Sequence, residues 1–491
     1  MTLRSAVPLL LAGAVAACAP AGAAPGTGVA PARVTVRSLR ADITRLITAP
    51  EFRNAHWGVL VVDPARGDTL YSNEAGKLFM PASNMKIVTG AVALARLGPE
   101  WRYRTVFATT GAIDGDALVG DLVVVGRGDP SVSAHMAGDP MAIVRGAADS
   151  LARLGVRRIT GTIRRGPDYF PGSNLGYGWS LDDLDSPYGA GVDELYFNEG
   201  FATLVVTGAD SAGGAVEVRV LPIPDHPPVR VEATTADSTA LEVVKDTIGA
   251  GIVVTGTVRP GESDTLDMTY YDPAEAYLAA LRAALAERGI AVRDWGDSPA
   301  RIDTAAALDT LFALASPPLR EILPAMLKPS QNQIAEILFR TLALEETGAG
   351  DPRAARRIVE EQLAAWGLDS GTYVIRDGSG LSRHNYLAPE ALVRILDRMR
   401  THEWADVFRD ALPVAGVDGT IESRMRGTPA EGNLRAKTGT IDKARALSGY
   451  VTSADGSVLI FSLLANNYTT PVREATRVQD EIGARLAALR R

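Results

Sequence analysis

Ser83 and Lys86 stand three residues apart in the run Phe79-Met80-Pro81-Ala82-Ser83-Asn84-Met85-Lys86-Ile87-Val88-Thr89. Pro81 disfavours helix for Met80, and Ser83 falls where an N-terminal turn begins. From Met85 onward the apolar residues Ile87, Val88, Ala91, Val92, Leu94, Ala95 and Leu97 recur at helical spacing. Two residues three apart on a helix share a face, so a hydroxyl lies beside an amine. A serine hydroxyl is a weak nucleophile until a base takes its proton. A lysine becomes that base when burial or a nearby cation lowers its pKa from about 10.4 toward roughly 7 to 8. An N-cap serine followed by a solvated lysine has the same spacing, so the pair acquires meaning only with partners elsewhere.

Two further motifs supply them. Lys328-Pro329-Ser330-Gln331-Asn332 places Ser-x-Asn between two helical segments, and Arg435-Ala436-Lys437-Thr438-Gly439-Thr440 places Lys-Thr-Gly at the entry to a strand. Either alone is a short pattern. A closely similar ordered trio marks serine acyl-transfer sites of penicillin-binding proteins and β-lactamases.

The elements that must position these groups are read from periodicity. A first amphipathic helix is expected over 36–47, a hairpin over 57–71, and the Ser83 helix after it. Short β patterns with Gly, Asp and Pro turns fill about 101–268, interrupted by one helix at 140–154. Helical spacing returns at 273–288, 318–328, 332–344, 352–366, 389–399 and 403–412. Strands follow at 446–452 and 457–465, and a last helix at 471–489. Gly126-Arg127-Gly128-Asp129-Pro130 reads as a tight turn, because no Gly-Lys-Ser/Thr follows it.

The chain has 491 residues, 46% hydrophobic and 22% charged, which predicts a globular protein of more than one domain. A net charge of -8 argues against nucleic acid as a partner. The five histidines are scattered singly and no Cys-x-x-Cys occurs, so neither a metal nor another cofactor is expected. Arg4 precedes an apolar run from Ala6 to Ala17, too short for a permanent membrane span. It ends Val15-Ala16-Ala17-Cys18, which resembles a bacterial lipoprotein cleavage box. Cys18 is the only cysteine, and lipidation there would supply a membrane anchor. Ordinary cleavage at Ala21-Gly22-Ala23 is the alternative; both export the chain to the periplasm or another extracytoplasmic space.

Beyond the trio, several segments resemble one family. They are Gly120-Asp121-Leu122, Gly178-Trp179-Ser180-Leu181-Asp182-Asp183, Tyr196-Phe197-Asn198-Glu199, 377–385 and 413–420. With the trio they resemble the low-molecular-mass class C penicillin-binding proteins, exported D-alanyl-D-alanine carboxypeptidases and endopeptidases. The resemblance implies a three-layer α/β/α catalytic domain of the serine β-lactamase/DD-peptidase type with an antiparallel sheet, interrupted by a large β-rich insertion. Ser83 and Ser330 lie 247 positions apart, more than a β-lactamase of ordinary size accommodates. The expected division is a signal peptide at 1–18, an Ala/Gly/Pro tether at 19–35, catalytic parts at 36–98 and 272–491, and the insertion at 99–271.

The resemblance implies roles. Ser83 is the nucleophile, Lys86 its base, Ser330 a proton relay and Asn332 a holder of the substrate amide or the Lys86 amine. Lys437 lowers the Lys86 pKa by repulsion and binds the substrate carboxylate, with Thr438 and Thr440. The backbone amides of Ser83 and Thr440 form the oxyanion hole, and Gly439 allows close approach. Arg383 and Asp183 match residues near the side chain of the stem-peptide diamino acid. Asp442 departs from the family, where a neutral polar residue is common. Peptidoglycan stem peptides are the expected substrates and β-lactam antibiotics covalent inhibitors. A β-lactamase or esterase with the same dyad, and a non-catalytic cell-wall binding protein, are the other readings.

Overall fold

A computed structural model describes residues 34–246, 251–293, 301–302 and 308–491. The expected signal peptide, the tether up to residue 33 and Cys18 lie outside the described residues.

The centre is a five-stranded antiparallel sheet. Its order is Asp68–Asn73, His56–Asp63, Val458–Asn466, Ala444–Thr452, Arg435–Ile441. The strand carrying Lys-Thr-Gly is therefore an edge strand. Strand Val458–Asn466 is apolar almost throughout, because both its faces are covered. Leu459, Phe461, Leu463 and Ala465 pack with helices Val36–Ile47 and Val472–Ala488, which close one face from the two ends of the chain. Ile460 and Leu464 pack with the opposite layer, built from helices Met85–Leu97, Leu319–Leu327, Asn332–Thr347, Pro352–Ala365 and Pro389–Arg400. This is the α/β/α arrangement expected from the sequence.

A second apolar cluster gathers residues of the β-rich insertion, among them Phe107, Val124, Leu151, Leu204 and Ile252. It also takes in residues beyond the boundary expected at 271. Helix Pro273–Glu287 buries Tyr277, Leu278, Leu281 and Leu285 in this cluster. Strand Asp309–Ala315 pairs antiparallel with Arg104–Thr109. Helical and strand periodicity announce that a face is buried but not against which partner, so both segments were open to assignment to either body. We propose that the insertion runs from about 104 to 315.

Candidate active site

The turn that carries Ser83 is a short 3-10 segment, Ala82–Asn84, leading directly into helix Met85–Leu97. It is clamped from several directions. Phe79 exchanges both backbone hydrogen bonds with Leu387. The Asn466 side chain accepts from the Met80 amide at 2.7 Å and donates to its carbonyl at 3.2 Å. Asn84 Nδ2 donates to the Lys437 carbonyl at 2.8 Å, tying the turn to the edge strand. Ala82, just before Ser83, is held at φ +47, a strained value for a non-glycine residue.

Lys86 lies in the first turn of the helix and is fully buried. Its Nζ donates to Ser83 Oγ at 2.9 Å, to Asn332 Oδ1 at 2.6 Å and to the Ser379 carbonyl at 2.8 Å. Three acceptors fix the amine against the hydroxyl. Burial brings its pKa down from 10.5 to about 7, although Asp377 and Glu336 pull the other way. Of the two causes expected from the sequence, burial and the nearby cation Lys437, burial is the one that lowers the Lys86 pKa. The repulsion appears on Lys437 instead, which burial, Lys86 and Arg445 together hold well below the ordinary lysine range. The doubly protonated pair is thus the disfavoured state.

Asn332 opens helix Asn332–Thr347, and its Nδ2 donates to the Tyr188 carbonyl at 2.8 Å. Beside it, Gln333 Nε2 donates to the carbonyls of Pro187 and Ala190, both at 3.0 Å. These bonds fasten a strap of the insertion over the helix start. Ser330 adopts φ +69 in the preceding loop. That loop is bound to residues 418–420: Lys328 pairs with Asp418, and the Thr420 amide donates to the Lys328 carbonyl at 3.0 Å. The Thr420 and Thr438 hydroxyls are hydrogen-bonded at 2.7 Å, which links the Ser-x-Asn loop to the Lys-Thr-Gly strand.

Gly439 shows why this strand needs a glycine. A Cβ there would lie 2.5 Å from the Pro81 carbonyl oxygen and 3.1 Å from the Ala82 Cβ. The strand therefore passes directly against the Ser83 turn. Gly380, at φ +88, comes as close from the other side, where a Cβ would stand 1.9 Å from the Ala82 carbonyl oxygen.

Ser83, Asp183, Tyr188, Ser330, Asn332, Arg383, Thr440 and Asp442 line one cleft of about 380 Å³. Lys86, Lys437, Thr438 and Gly439 are buried in its wall. Asp183 accepts from the Tyr188 hydroxyl at 3.0 Å. Arg383 Nη1 donates to the Asp442 carbonyl at 3.2 Å, and its Nη2 lies 4.0 Å from the Asp442 carboxylate. Arg445 holds the Thr440 hydroxyl. Larger cavities exist, one of about 750 Å³ around Arg400 and Tyr450, but none of its lining residues belongs to the trio.

Of the loop 377–385 sequence reasoning singled out only Arg383, and missed Asp377, Ser379 and their neighbour Glu336. Asp377 accepts from Gly380 N at 2.8 Å, Ser382 N at 2.7 Å, Asn385 Nδ2 at 2.7 Å and Trp179 Nε1 at 3.0 Å. Glu336 accepts from Gly378 N at 3.1 Å and Ser379 N at 2.8 Å. The run Asp-Gly-Ser-Gly carried the signal, since it combines a turn-forming acid with glycines.

Residues 39–489 match the family described as D-Ala-D-Ala carboxypeptidase 3 (S13). The chain belongs to that family. It is 35% identical over 488 residues to a D-alanyl-D-alanine carboxypeptidase from an Actinomadura species, covering 93% of this chain and 85% of that protein. It is 28% identical to the carboxypeptidase DacB of Haemophilus influenzae, covering 80% and 82%. The crystal structure of penicillin binding protein 4 from Haemophilus influenzae shares the fold, with a TM-score of 0.76 at 23% identity over 90% of this chain and 99% of that one. The family expected from the sequence is the family found: a low-molecular-mass penicillin-binding protein and serine-type D-Ala-D-Ala carboxypeptidase.

Proposed function

We propose that Ser83 is the acylated nucleophile of this carboxypeptidase and Lys86 the base that activates it. One observation carries the assignment: an amine brought to a pKa of about 7 sits 2.9 Å from the Ser83 hydroxyl. An uncharged Lys86 accepts the Ser83 proton as Oγ attacks the carbonyl between two D-alanines. The oxyanion is held by the Ser83 and Thr440 amides; the first also benefits from the start of helix Met85–Leu97. The proton returns through Ser330 to the departing amine, releasing D-alanine and leaving an acyl-serine ester. Water then takes the acyl group and restores Ser83. Asn332 orients Lys86, and Lys437 with Thr438 and Thr440 binds the terminal carboxylate. Gly439 lets the strand approach. Asp183 and Arg383 meet the side chain of the residue before the scissile bond. A leaving amine on a diamino acid of a cross-linked stem fits the same scheme, giving endopeptidase action.

The chain is exported in this reading, with Cys18 as lipid anchor or, after cleavage at 21–23, free in the periplasm. Among the described residues no helix is long and apolar enough to cross a membrane.

The test is D-alanine release from a stem pentapeptide by the parent, Ser83→Ala and Lys86→Ala proteins. Loss of release in both variants supports the assignment. Release by Ser83→Ala at the parent rate overturns it.

A further inference from the structure

Behind Lys86 lies a buried acid to which the acylation scheme gives no task. Glu336 sits one helical turn after Asn332 and is 4% exposed. Its Oε1 accepts from two successive amides, Gly378 at 3.1 Å and Ser379 at 2.8 Å. The carbonyl of that same Ser379 accepts from Lys86 Nζ at 2.8 Å. A chain of bonds thus runs from Glu336 through the backbone of one residue, Ser379, to the amine beside Ser83. A buried carboxyl is costly and is retained only where its surroundings use it.

We propose that Glu336 is a positioning residue for acylation: it fixes the 378–379 turn that holds Lys86, and it places a negative charge behind that amine. This rests on Lys86 being the base.

Glu336 is able to titrate. Burial and the neighbouring Asp377 push its carboxyl up to about 7, the range in which Lys86 itself loses its proton. A second cavity of about 390 Å³, which shares no lining residue with the Ser83 cleft, reaches Glu336 and Asp377. It gives this carboxyl its own route to solvent. The charged groups around it are Lys86 on the nucleophile helix, Asp377 on the loop, Arg340 one turn further along its own helix, and Asp351, Arg353 and Arg376 on the cavity wall. An ionised Glu336 favours the Lys86 ammonium, so removing the charge makes Lys86 neutral at lower pH.

The experiment is the rate constant for acylation by a fluorescent penicillin between pH 5 and 9, in the parent, Glu336→Gln and Glu336→Ala proteins. Glutamine keeps an oxygen for the two amides and removes the charge. The expected midpoint of the Glu336→Gln profile lies roughly half a pH unit or more below the parent's, with a plateau within about threefold. Glu336→Ala loses the amide acceptor and is expected to fall at least about tenfold on the plateau. A purely structural role lowers the melting temperature and leaves the midpoint in place. An unshifted Glu336→Gln midpoint therefore overturns the charge role, and a Glu336→Ala plateau equal to the parent's overturns the positioning role. Should Glu336→Ala not fold, the glutamine profile alone decides. A parent rate that does not rise through neutral pH contradicts Lys86 as base, and this inference with it.

Discussion

Gly439→Ala is the smallest change that separates the two halves of the proposed oxyanion hole. The added methyl would stand 2.5 Å from the Pro81 carbonyl oxygen, 3.0 Å from the Ala446 Cβ and 3.1 Å from the Ala82 Cβ. An ordinary contact begins near 3.4 Å, so the first of these is roughly 0.9 Å too short. None of the three opposing atoms is the end of a flexible side chain. Pro81 and Ala82 belong to a turn clamped by Leu387, Asn466 and Asn84, and Ala446 to the neighbouring strand. The edge strand must withdraw, and Thr440 moves away from Ser83. Losing one oxyanion donor costs about 3 kcal/mol, or roughly a hundredfold to a thousandfold in rate. Overpacking of this kind typically costs about 1–3 kcal/mol of stability. Stopped-flow acylation by a fluorescent penicillin, beside a thermal melt, separates the two effects. Acylation slowed at least about a hundredfold in a protein that still melts cooperatively is the expected outcome. A Gly439→Ala protein that acylates at the parent rate would refute the argument that this glycine sets the Ser83–Thr440 spacing.

Other expectations follow from the same geometry. Asn332→Ala removes the 2.6 Å acceptor of the Lys86 amine and should slow acylation at least about tenfold in the same assay. Because burial places Lys86 near 7, parent acylation should rise as pH is raised through neutrality, and a flat profile from pH 5 to 8 would contradict this. Gln333→Leu removes the donor to the Pro187 and Ala190 carbonyls. It should raise KM for peptide substrate and lower stability by about 1–3 kcal/mol, measured by steady-state kinetics and denaturant melts. Asp442→Ser releases Arg383 from its neighbour and should favour, severalfold in kcat/KM, substrates whose side chain there ends in a carboxylate over those ending in an amine.

The catalytic body was legible in the sequence because its determinants are local. Ile87, Val88, Ala91 and Val92 declare a buried helix around Lys86, and the run at 458–466, apolar except for Ser462 and Asn466, declares a strand covered on both faces. The trio stood out because each motif falls at the start of a helix or on an edge strand. What escaped reading depends on long-range pairing. Glu336 looks like any acid on a helix until the 378–379 amides fold onto it. Asp442 could be flagged as unusual, yet its pairing with Arg383 spans 59 positions. Helix 273–287 has the same pattern whichever core receives it. Which of the two expected causes acts on Lys86 was not legible, because sequence reveals like charges but not the dryness of the place they share.

The central claim is that Ser83 forms a covalent acyl intermediate. It is tested most directly by intact-mass spectrometry of the purified protein after incubation with benzylpenicillin, followed by peptide mapping. The account predicts a single persistent adduct of one antibiotic mass on the peptide containing Ser83, absent from Ser83→Ala. An adduct that survives Ser83→Ala with unchanged stoichiometry would contradict it. So would intact antibiotic with no adduct, the signature of a binding protein; hydrolysed antibiotic with no lasting adduct would keep the acyl step and replace the carboxypeptidase by a β-lactamase.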